Sequence, residues 1–144
     1  MRCDDFICLG RTVPEESKKY GAKVCMAGLS QEIGGLMRVY PLQWSNPIRV
    51  RNQCVMELER NHLDNRKESW KLKGSNDGII SVLEKPAFKD PWPVLKPYLA
   101  PSIVCLNDQR LSLGVLKLMN PRGYFRERSD PTNEDQGMLF IRWI

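Results

Sequence analysis

Two short hydrophobic runs near the start of the chain, separated by a polar segment, predict a β-hairpin. The first is Lys23-Val24-Cys25-Met26-Ala27-Gly28, and the second, Leu36-Met37-Arg38-Val39-Tyr40, follows Gly34-Gly35 and ends at Pro41. Strands separated by a short loop that contains glycine commonly pair as hairpins. Because side chains alternate between the two faces of a strand, Arg38 is expected on the face opposite to Met37 and Val39.

A third strand is predicted over residues 53–59, where polar and apolar positions alternate. Cys54, Met56 and Leu58 would share one face, and this period of two is typical of a half-buried strand. Residues 79–83 fit either a strand or one helical turn. Further apolar runs predict strands at residues 6–9, 103–106, 113–118 and 138–144.

One short helix and one long loop complete the predicted elements. Asp90 is placed to cap a helix that starts with Pro91, and the following prolines limit it to about two turns. Residues 120–136 are polar and charged and contain Pro and Gly, which is typical of a loop. The whole pattern predicts a mainly β fold, a small antiparallel barrel (OB-like or SH3-like) with one short helix, that spans residues 1–144 as a single domain.

Composition narrows the class of protein without identifying its activity. The 144 residues carry a formal net charge of +5 and are 42% hydrophobic, as in ordinary soluble domains. No apolar run approaches the roughly 20 residues of a membrane span, and the N-terminus lacks a signal-peptide pattern, so a cytoplasmic protein is expected. The positive charge favours anionic partners such as nucleic acid, but it fits equally a domain whose charge serves only solubility.

The cysteines are expected to be reduced and mostly buried, and no metal or other cofactor is predicted. They are odd in number and widely spaced, and no C-x-x-C pair occurs among Cys3, Cys8, Cys25, Cys54 and Cys105. The single histidine cannot complete a usual Cys/His zinc set. Cysteines in such a pattern act as small hydrophobic residues of a core.

The predicted hairpin resembles the start of a known group of proteins. Its first strand contains the C-x-A-G element Cys25-Met26-Ala27-Gly28, and its second contains Arg38-Val39-Tyr40-Pro41. Leu9-Gly10-Arg11 and Glu68-Ser69-Trp70-Lys71 fit the same group. These residues resemble the dual OB-containing domains of bacteria and phages to which nucleic-acid binding is attributed. The resemblance covers roughly the first half of the chain and implies an OB barrel that binds nucleic acid.

Residues 60–74, RNHLDNRKESWKLKG, are the most distinctive stretch, because five basic residues surround a tryptophan there. Cations neutralise phosphates, and an aromatic ring can stack on a base, so this stretch and the basic residues before it predict a nucleic-acid surface. If residues 49–51 are extended, their two arginines share one strand face. Trp44 or Tyr40 would extend the stacking platform. The predicted binding residues are Arg38, Arg49, Arg51, Arg66, Lys67, Trp70 and Lys71.

Each part of this surface has a second interpretation. Trp70 would instead anchor the loop inside the barrel, because tryptophans are usually well buried. The basic residues around it would then only keep the loop in solvent.

Catalysis is not favoured by the sequence. His62 beside Asp64, and the carboxylate pairs Asp4-Asp5 and Asp64/Glu68, are candidates for a base or a metal-dependent nuclease, but such groups are also typical of a solvated surface. No G-x-S-x-G, H-E-x-x-H or phosphate-binding loop occurs. The leading hypothesis is a non-enzymatic nucleic-acid-binding domain. The alternative is a protein-interaction or oligomerisation module, such as a phage or mobile-element adaptor, that pairs through its C-terminal strand, residues 138–144.

Overall fold

The structure is a computed structural model that describes residues 1–12, 15–17, 21–74, 78–86, 89–90, 92–117, 125–126 and 140–141. Its strands are β1 (Arg2–Arg11), β2 (Glu15–Ser17), β3 (Gly21–Ser30), β4 (Gly35–Gln43), β5 (Asn52–Arg60), β6 (Ser69–Leu72), β7 (Ile79–Pro86), β8 (Phe125–Arg126) and β9 (Phe140–Ile141). Two short helices, α1 (Trp92–Leu95) and α2 (Ile103–Asp108), lie on either side of a 3-10 turn at Lys96–Tyr98.

Five strands close into a barrel, which confirms the predicted fold class. Neighbouring strands follow the order β1-β3-β4-β6-β5, and β5 pairs back onto β1. The pairings are antiparallel, except that the short β6 runs parallel to β4, with Arg38 opposite Ser69 and Val39 opposite Trp70. β2 and β7 extend the sheet outside the closed ring by pairing with β3 and β5.

The predicted hairpin is confirmed as β3 and β4, but β4 continues past the proline expected to end it. The register of the pair shifts at this point, so that Tyr40 and Pro41 together stand opposite Cys25. Such a bulge leaves one residue without a ladder partner, and proline, which has no N–H to donate, is tolerated there. The bulge therefore explains why β4 reaches Gln43.

Inward residues of the barrel strands form the core. Met37 and Val39 of β4, and Cys54, Met56 and Leu58 of β5, are at most 1% exposed, as their period of two predicts. The cluster is completed by Cys3, Phe6, Cys8, Val24, Met26, Leu42, Ile48, Trp70 and Leu72. Trp70 is 7% exposed, so the interpretation in which its side chain anchors the loop inside the barrel is confirmed.

The cysteines follow the prediction only in part. All five are free thiols, and Cys3, Cys8 and Cys54 are buried, whereas Cys25 and Cys105 are partly exposed. Burial raises the pKa of the Cys8 thiol to about 11 and that of Cys54 to about 12. These two thiols therefore stay protonated at neutral pH and pack as apolar groups.

The C-x-A-G element ends in a glycine that the barrel requires. A Cβ on Gly28 would lie 2.2 Å from Cζ of Phe6 and 2.5 Å from the carbonyl oxygen of Ile7. Phe6 is fully buried, so its ring has little space into which it could withdraw. A residue with a side chain at this position would separate β1 from β3.

Beyond the barrel, the run at residues 79–83 belongs to β7, and the short helix predicted after Asp90 is α1. Oδ1 of Asp90 accepts a hydrogen bond from the backbone N–H of Trp92 at 2.9 Å, while Pro91 lies outside the described residues. No helix in the described ranges is long and apolar enough to cross a membrane.

The strand predicted at residues 103–106 is wrong, because this run forms α2. The Ser102 side chain caps the helix by accepting a hydrogen bond from the Cys105 N–H at 3.1 Å. A short apolar run suits a strand or a helix equally, and the cap decides between them. The strand predicted at residues 113–118 is also wrong where the chain is described: residues 113–117 contain only an isolated parallel bridge between Val115 and Leu99.

The last described strands are not part of the barrel sheet. β8 and β9 pair with each other as a two-stranded sheet, so residues 140 and 141 of the predicted terminal strand do not close the ring. β8 also places a short strand within the loop predicted at residues 120–136. The remainder of that loop, and residues 138, 139 and 142–144, lie outside the described residues.

Candidate nucleic-acid interface

The residues predicted to bind nucleic acid lie in three separate parts of the barrel. Arg38, on the outer face of β4, meets Arg66 from the loop formed by residues 61–68. Arg49 and Arg51 lie in the connection between β4 and β5. The other three residues are Lys67, which precedes β6, and Trp70 and Lys71, which lie within it.

Arg38 is held in place by three neighbours of different chemistry. Its Nε donates to Sγ of Cys25 at 2.8 Å, and its Nη1 lies 3.5 Å from Oδ2 of Asp64. The guanidinium carbon also lies 5.4 Å from the centre of the Tyr40 ring. The Arg38 side chain is 18% exposed, so most of it packs against the outer face of β3 and β4 and only a small part contacts solvent.

The loop formed by residues 61–68 is an ordered connection. The buried Asn61 donates from Nδ2 to the carbonyl of Tyr40 at 3.1 Å, which ties the start of the loop to β4. At the other end, the backbone N–H of Arg38 donates to the carbonyl of Glu68 at 2.8 Å. These two bonds hold the loop against the edge of β4, and the parallel β4–β6 contact begins directly after it.

Asp64 is the central acceptor of this loop. Oδ1 accepts from Nε of Arg66 at 2.7 Å and Oδ2 from the hydroxyl of Ser69 at 2.8 Å. The hydrogen bond from Arg66, supported by Ser69 and opposed by burial, holds the pKa of the Asp64 carboxyl well below its usual range. A single carboxylate therefore orients two arginines, Arg38 and Arg66, at the same place.

A groove of about 440 Å³ lies beside these arginines, and we call it the arginine groove. Three of its lining residues are arginines and none is acidic: Gly10, Arg11, Thr12, Cys25, Ala27, Arg38, Arg66, Ser112 and Leu113. A smaller pocket of about 300 Å³ adjoins it, because Arg38 and Arg66 line both. Tyr40 and Leu63 line the smaller pocket, and Leu63 is 92% exposed at the surface of the loop.

One wall of the arginine groove is supplied by the segment after α2. Oε1 of Glu68 accepts from both the backbone N–H and the hydroxyl of Ser112, at 2.7 and 2.5 Å. Burial opposes ionisation of Glu68, but these two bonds outweigh it and lower the pKa of its carboxyl. Glu68 is 8% exposed and thus fixes Ser112 and Leu113 at the side of the groove.

Arg11 is a groove residue that was not among those predicted. It is the last residue of β1, and the strand pairing carries it to the same face as Arg38. Nothing in its sequence surroundings marks it, apart from its position in Leu9-Gly10-Arg11. The place of Arg11 in the groove depends on the tertiary structure, because β1 and β4 must pair with opposite edges of β3 to bring Arg11 near Arg38.

Five of the seven predicted residues do not line the arginine groove: Arg49 and Arg51, and the three residues of the β6 region. Lys71 forms an ion pair with Glu59 at 3.0 Å, with both side chains partly exposed. Lys67 is exposed and lines a separate cavity of about 440 Å³ between β6 and the segment after α1. Trp70 is buried, and the guanidinium carbon of Arg60 lies 3.9 Å from its ring centre. The structure therefore leaves the Trp70 ring little surface on which a base could stack.

The condition under which Arg49 and Arg51 would share a strand face is not met, because residues 49–51 lie in a turn before β5. Oδ1 of Asn52 accepts from the backbone N–H of Arg49 at 2.7 Å, and the N–H of Asn52 donates back to the Arg49 carbonyl at 3.0 Å. Arg51 has a φ of 74°, in the left-handed region. Arg49 and Arg51 consequently do not share a strand face.

The candidate catalytic groups are either exposed at the surface or engaged in hydrogen bonds that hold the fold. His62 is exposed, as its interpretation as a surface residue predicted. Within the described residues, Cys3, Asp5 and Glu32 are a group whose ligand atoms lie within 4.8 Å of one another. Both oxygens of Asp5 are used to hold the β3–β4 turn, since they accept from the Ser30 hydroxyl at 2.5 Å and from the Gln31 N–H at 2.7 Å. This turn explains the cluster without a metal.

The fold and the groove together define the class of this protein: a small closed β-barrel with an arginine-lined face. The chain belongs to the family described as a domain of unknown function, DUF8758, which matches residues 4–101. That range contains four of the barrel strands, all but the first two residues of β1, and the three groove arginines, whereas Ser112 and Leu113 lie after it. No curated protein and no solved structure matches the chain.

Proposed function

We propose that this protein binds nucleic acid without catalysis, and that the arginine groove is the contact surface. The observation that carries the proposal is that three arginines line one groove in which none of the lining residues is acidic. Arginine binds phosphate well because its planar guanidinium group donates two parallel hydrogen bonds to the phosphate oxygens.

A charge count supports the proposal. Arg11, Arg38 and Arg66 supply three positive charges. Asp64 carries one negative charge and pairs with both Arg38 and Arg66. Counted by ion pairs, the groove therefore keeps about two positive charges, and the Glu68 carboxylate that holds its wall also acts on one of them, Arg66. A protein that neutralises about two phosphates of a single strand should show a slope of about −1.4 when log K is plotted against log[salt], since each phosphate contributes about −0.7.

The strand order also supports it. A five-stranded ring in the order β1-β3-β4-β6-β5, with a parallel contact between its third and fifth strands, is typical of an OB barrel. OB domains bind oligonucleotides with the face of their second and third strands and with the loops beside it. In this chain those strands are β3 and β4, which carry Cys25, Ala27 and Arg38, and one such loop is residues 61–68.

Protein interaction is the second candidate, and one observation favours it. β7 lies outside the barrel and pairs only with β5 among the described strands, while Ile80 and Leu83 are 48% and 55% exposed on it. An edge strand with exposed apolar side chains is a place where another chain can pair. Light scattering after gel filtration separates the two candidates, because a strictly monomeric protein counts against assembly through this edge.

The proposal is tested by fluorescence anisotropy with labelled 20-nucleotide single strands and duplexes over a salt series. Arg66→Gln removes a groove charge, and Arg2→Gln is the matched control, since Arg2 is 61% exposed and pairs with Asp4 outside the groove. At about 0.1 M salt, the loss of one phosphate contact should weaken single-strand binding about fivefold and reduce its slope by about 0.7; for the duplex the corresponding values are about eightfold and about 0.9.

The expected result is that Arg66→Gln shows this loss and Arg2→Gln shows a smaller one. Circular dichroism should confirm that both variants keep the fold. Equal effects of the two substitutions, or no oligonucleotide binding by the unmodified protein at low salt, would overturn the proposal.

A further inference from the structure

We propose that Arg11, Arg49 and Trp44 form a second subsite, which holds a phosphate between the two arginines while an unpaired base stacks on Trp44. This inference rests on the proposed function and deepens it, because it makes the ligand a single-stranded nucleic acid. We call these three residues the tryptophan subsite.

Two guanidinium groups, those of Arg11 and Arg49, meet at this place. Nη1 of Arg11 and Nη1 of Arg49 both donate to the carbonyl oxygen of Ile48, the latter at 3.2 Å. Neither arginine takes part in an ion pair within the described part of the chain. Two like charges that share one acceptor repel each other, and a phosphate bound across them would remove that repulsion.

The ionisation of Arg11 agrees with this geometry. Burial, and then the neighbouring positive charge of Arg49, lower the pKa of the Arg11 guanidinium. Its Nε is buried and has no hydrogen-bond partner among the described residues. Burial therefore removes part of the hydration of the Arg11 guanidinium, and its protein contacts replace that hydration only in part. An anion bound beside it would stabilise its charge.

Trp44 supplies the stacking surface beside the two arginines. It is 52% exposed, and the guanidinium carbon of Arg11 lies 5.2 Å from the centre of its ring. The carbonyl of Trp44 also accepts from Nη2 of Arg11 at 3.3 Å, so one side chain is bound to both the ring and the backbone. An exposed indole next to a cation is a typical platform for a nucleobase.

The loop that carries Trp44 is fixed before any ligand binds. Asn46 is fully buried, donates to the carbonyl of Gln43 at 2.5 Å and accepts from the N–H of Ile48 at 3.1 Å. Ile48 belongs to the barrel core. Arg49 completes the arrangement by donating to the Asn46 carbonyl at 2.8 Å. A platform held in this way binds without the cost of ordering a flexible loop.

The position of Arg11 joins the two surfaces. The same side chain lines the arginine groove and touches the Trp44 ring, so a strand that leaves the groove past Arg11 reaches the tryptophan subsite. In a duplex the base faces are covered by their stacked neighbours, whereas an unpaired base can turn onto an aromatic ring. The tryptophan subsite therefore selects single strands.

The test uses the full chain, a labelled single strand of 20 thymidines and a duplex of the same length. Trp44→Ala should weaken single-strand binding about tenfold and duplex binding less than twofold, because stacking occurs only with the unpaired base. Trp92→Ala is the matched control, since Trp92 is 40% exposed and belongs to α1. At about 0.1 M salt, Arg49→Gln should weaken single-strand binding about fivefold and reduce its slope by about 0.7, and weaken duplex binding about eightfold and reduce its slope by about 0.9.

A second measurement distinguishes a loss of the stacking contact from a change in folding. Binding of the single strand should quench tryptophan fluorescence in the unmodified protein and in Trp92→Phe, but much less in Trp44→Phe. If Arg66→Gln weakens binding while the Trp44 and Arg49 variants behave like the unmodified protein, the tryptophan subsite is overturned and the arginine groove stands. If no oligonucleotide binds, both proposals fail together.

Discussion

Asp64→Asn should make the protein bind nucleic acid more tightly and, at the same time, make it less stable. In the structure, the Asp64 carboxylate neutralises part of the charge of Arg38 and Arg66 at 3.5 and 2.7 Å. Asparagine has nearly the same shape and can still accept a hydrogen bond, so the loop formed by residues 61–68 should keep its course. The substitution therefore changes mainly the charge.

The size of both effects follows from the contacts. One more unneutralised charge in the groove should steepen the salt slope by about 0.7 and tighten binding about fivefold at about 0.1 M salt. The free energy of unfolding should fall by about 1–2 kcal/mol, because charge-assisted bonds from Arg66 and Ser69 are weakened and Arg66 is 42% exposed. Anisotropy titrations and urea denaturation measure the two quantities.

Acid should remove the stability difference between Asp64→Asn and the unmodified protein. The pKa of Asp64 is lowered in the folded state, so its contribution to stability is complete above its unfolded pKa of about 4 and is lost as the pH falls towards its folded value. The two proteins should differ by a constant amount from about pH 8 to pH 5 and converge below about pH 4.

Glu59→Gln is the matched control for Asp64→Asn, because Glu59 pairs with Lys71 away from the groove. It removes the same charge and should change binding much less. The reasoning is refuted if Asp64→Asn weakens binding while the fold is retained, or if Glu59→Gln tightens it as much.

Three further substitutions test other parts of the structure. Gly28→Ala should lower the free energy of unfolding by about 1–3 kcal/mol or more, because the new methyl group forces Phe6 away. Gly10→Ala is the control: its Cβ meets nothing within 4 Å, so it should change the free energy of unfolding by less than about 1 kcal/mol. Equal denaturation midpoints of the two variants would contradict the packing argument. Trp70→Phe should cost about 1–3 kcal/mol of stability but leave oligonucleotide affinity within about twofold, and a tenfold loss of affinity would show that Trp70 meets a base. Glu68→Gln should weaken the charge-assisted bonds to Ser112, cost about 1–2 kcal/mol, and speed hydrogen exchange at the Ser112 N–H; unchanged exchange would mean that Glu68 does not fix this segment.

Sequence patterns predicted correctly which strand residues face the core, because alternation along a strand depends only on neighbouring residues. The alternation over residues 53–59 identified the buried face of β5, and the position of Arg38 between Met37 and Val39 identified its outward direction. The apolar run at residues 103–106 misled because its length suits either kind of element, and the deciding Ser102 cap is a single residue. At residues 49–51 the alternation of arginines was outweighed by the side chain of Asn52, which closes a turn.

The candidate site was less predictable, because its residues are far apart in sequence. Arg38 and Arg66 were both predicted to bind, but their meeting on Asp64 depends on the parallel contact between β4 and β6. Arg11 reaches the groove only through the closed ring. The basic stretch at residues 66–73 looked continuous in the sequence, yet Lys71 and Lys73 are paired with Glu59 and Glu57 on β5. Charge counted along the chain therefore overstated the free charge of this stretch.

The seam between β1 and β5 has a consequence for the order of folding. It brings together residues as distant as Met1 and Leu58, which exchange two backbone hydrogen bonds of 2.7 Å. Contacts across so long a loop are slow to form, whereas the β3–β4 hairpin joins near neighbours. We expect Val39→Ala, in the hairpin, to slow refolding, and Cys54→Ala, at the seam, mainly to speed unfolding. Stopped-flow chevron plots would show whether ring closure is the last step.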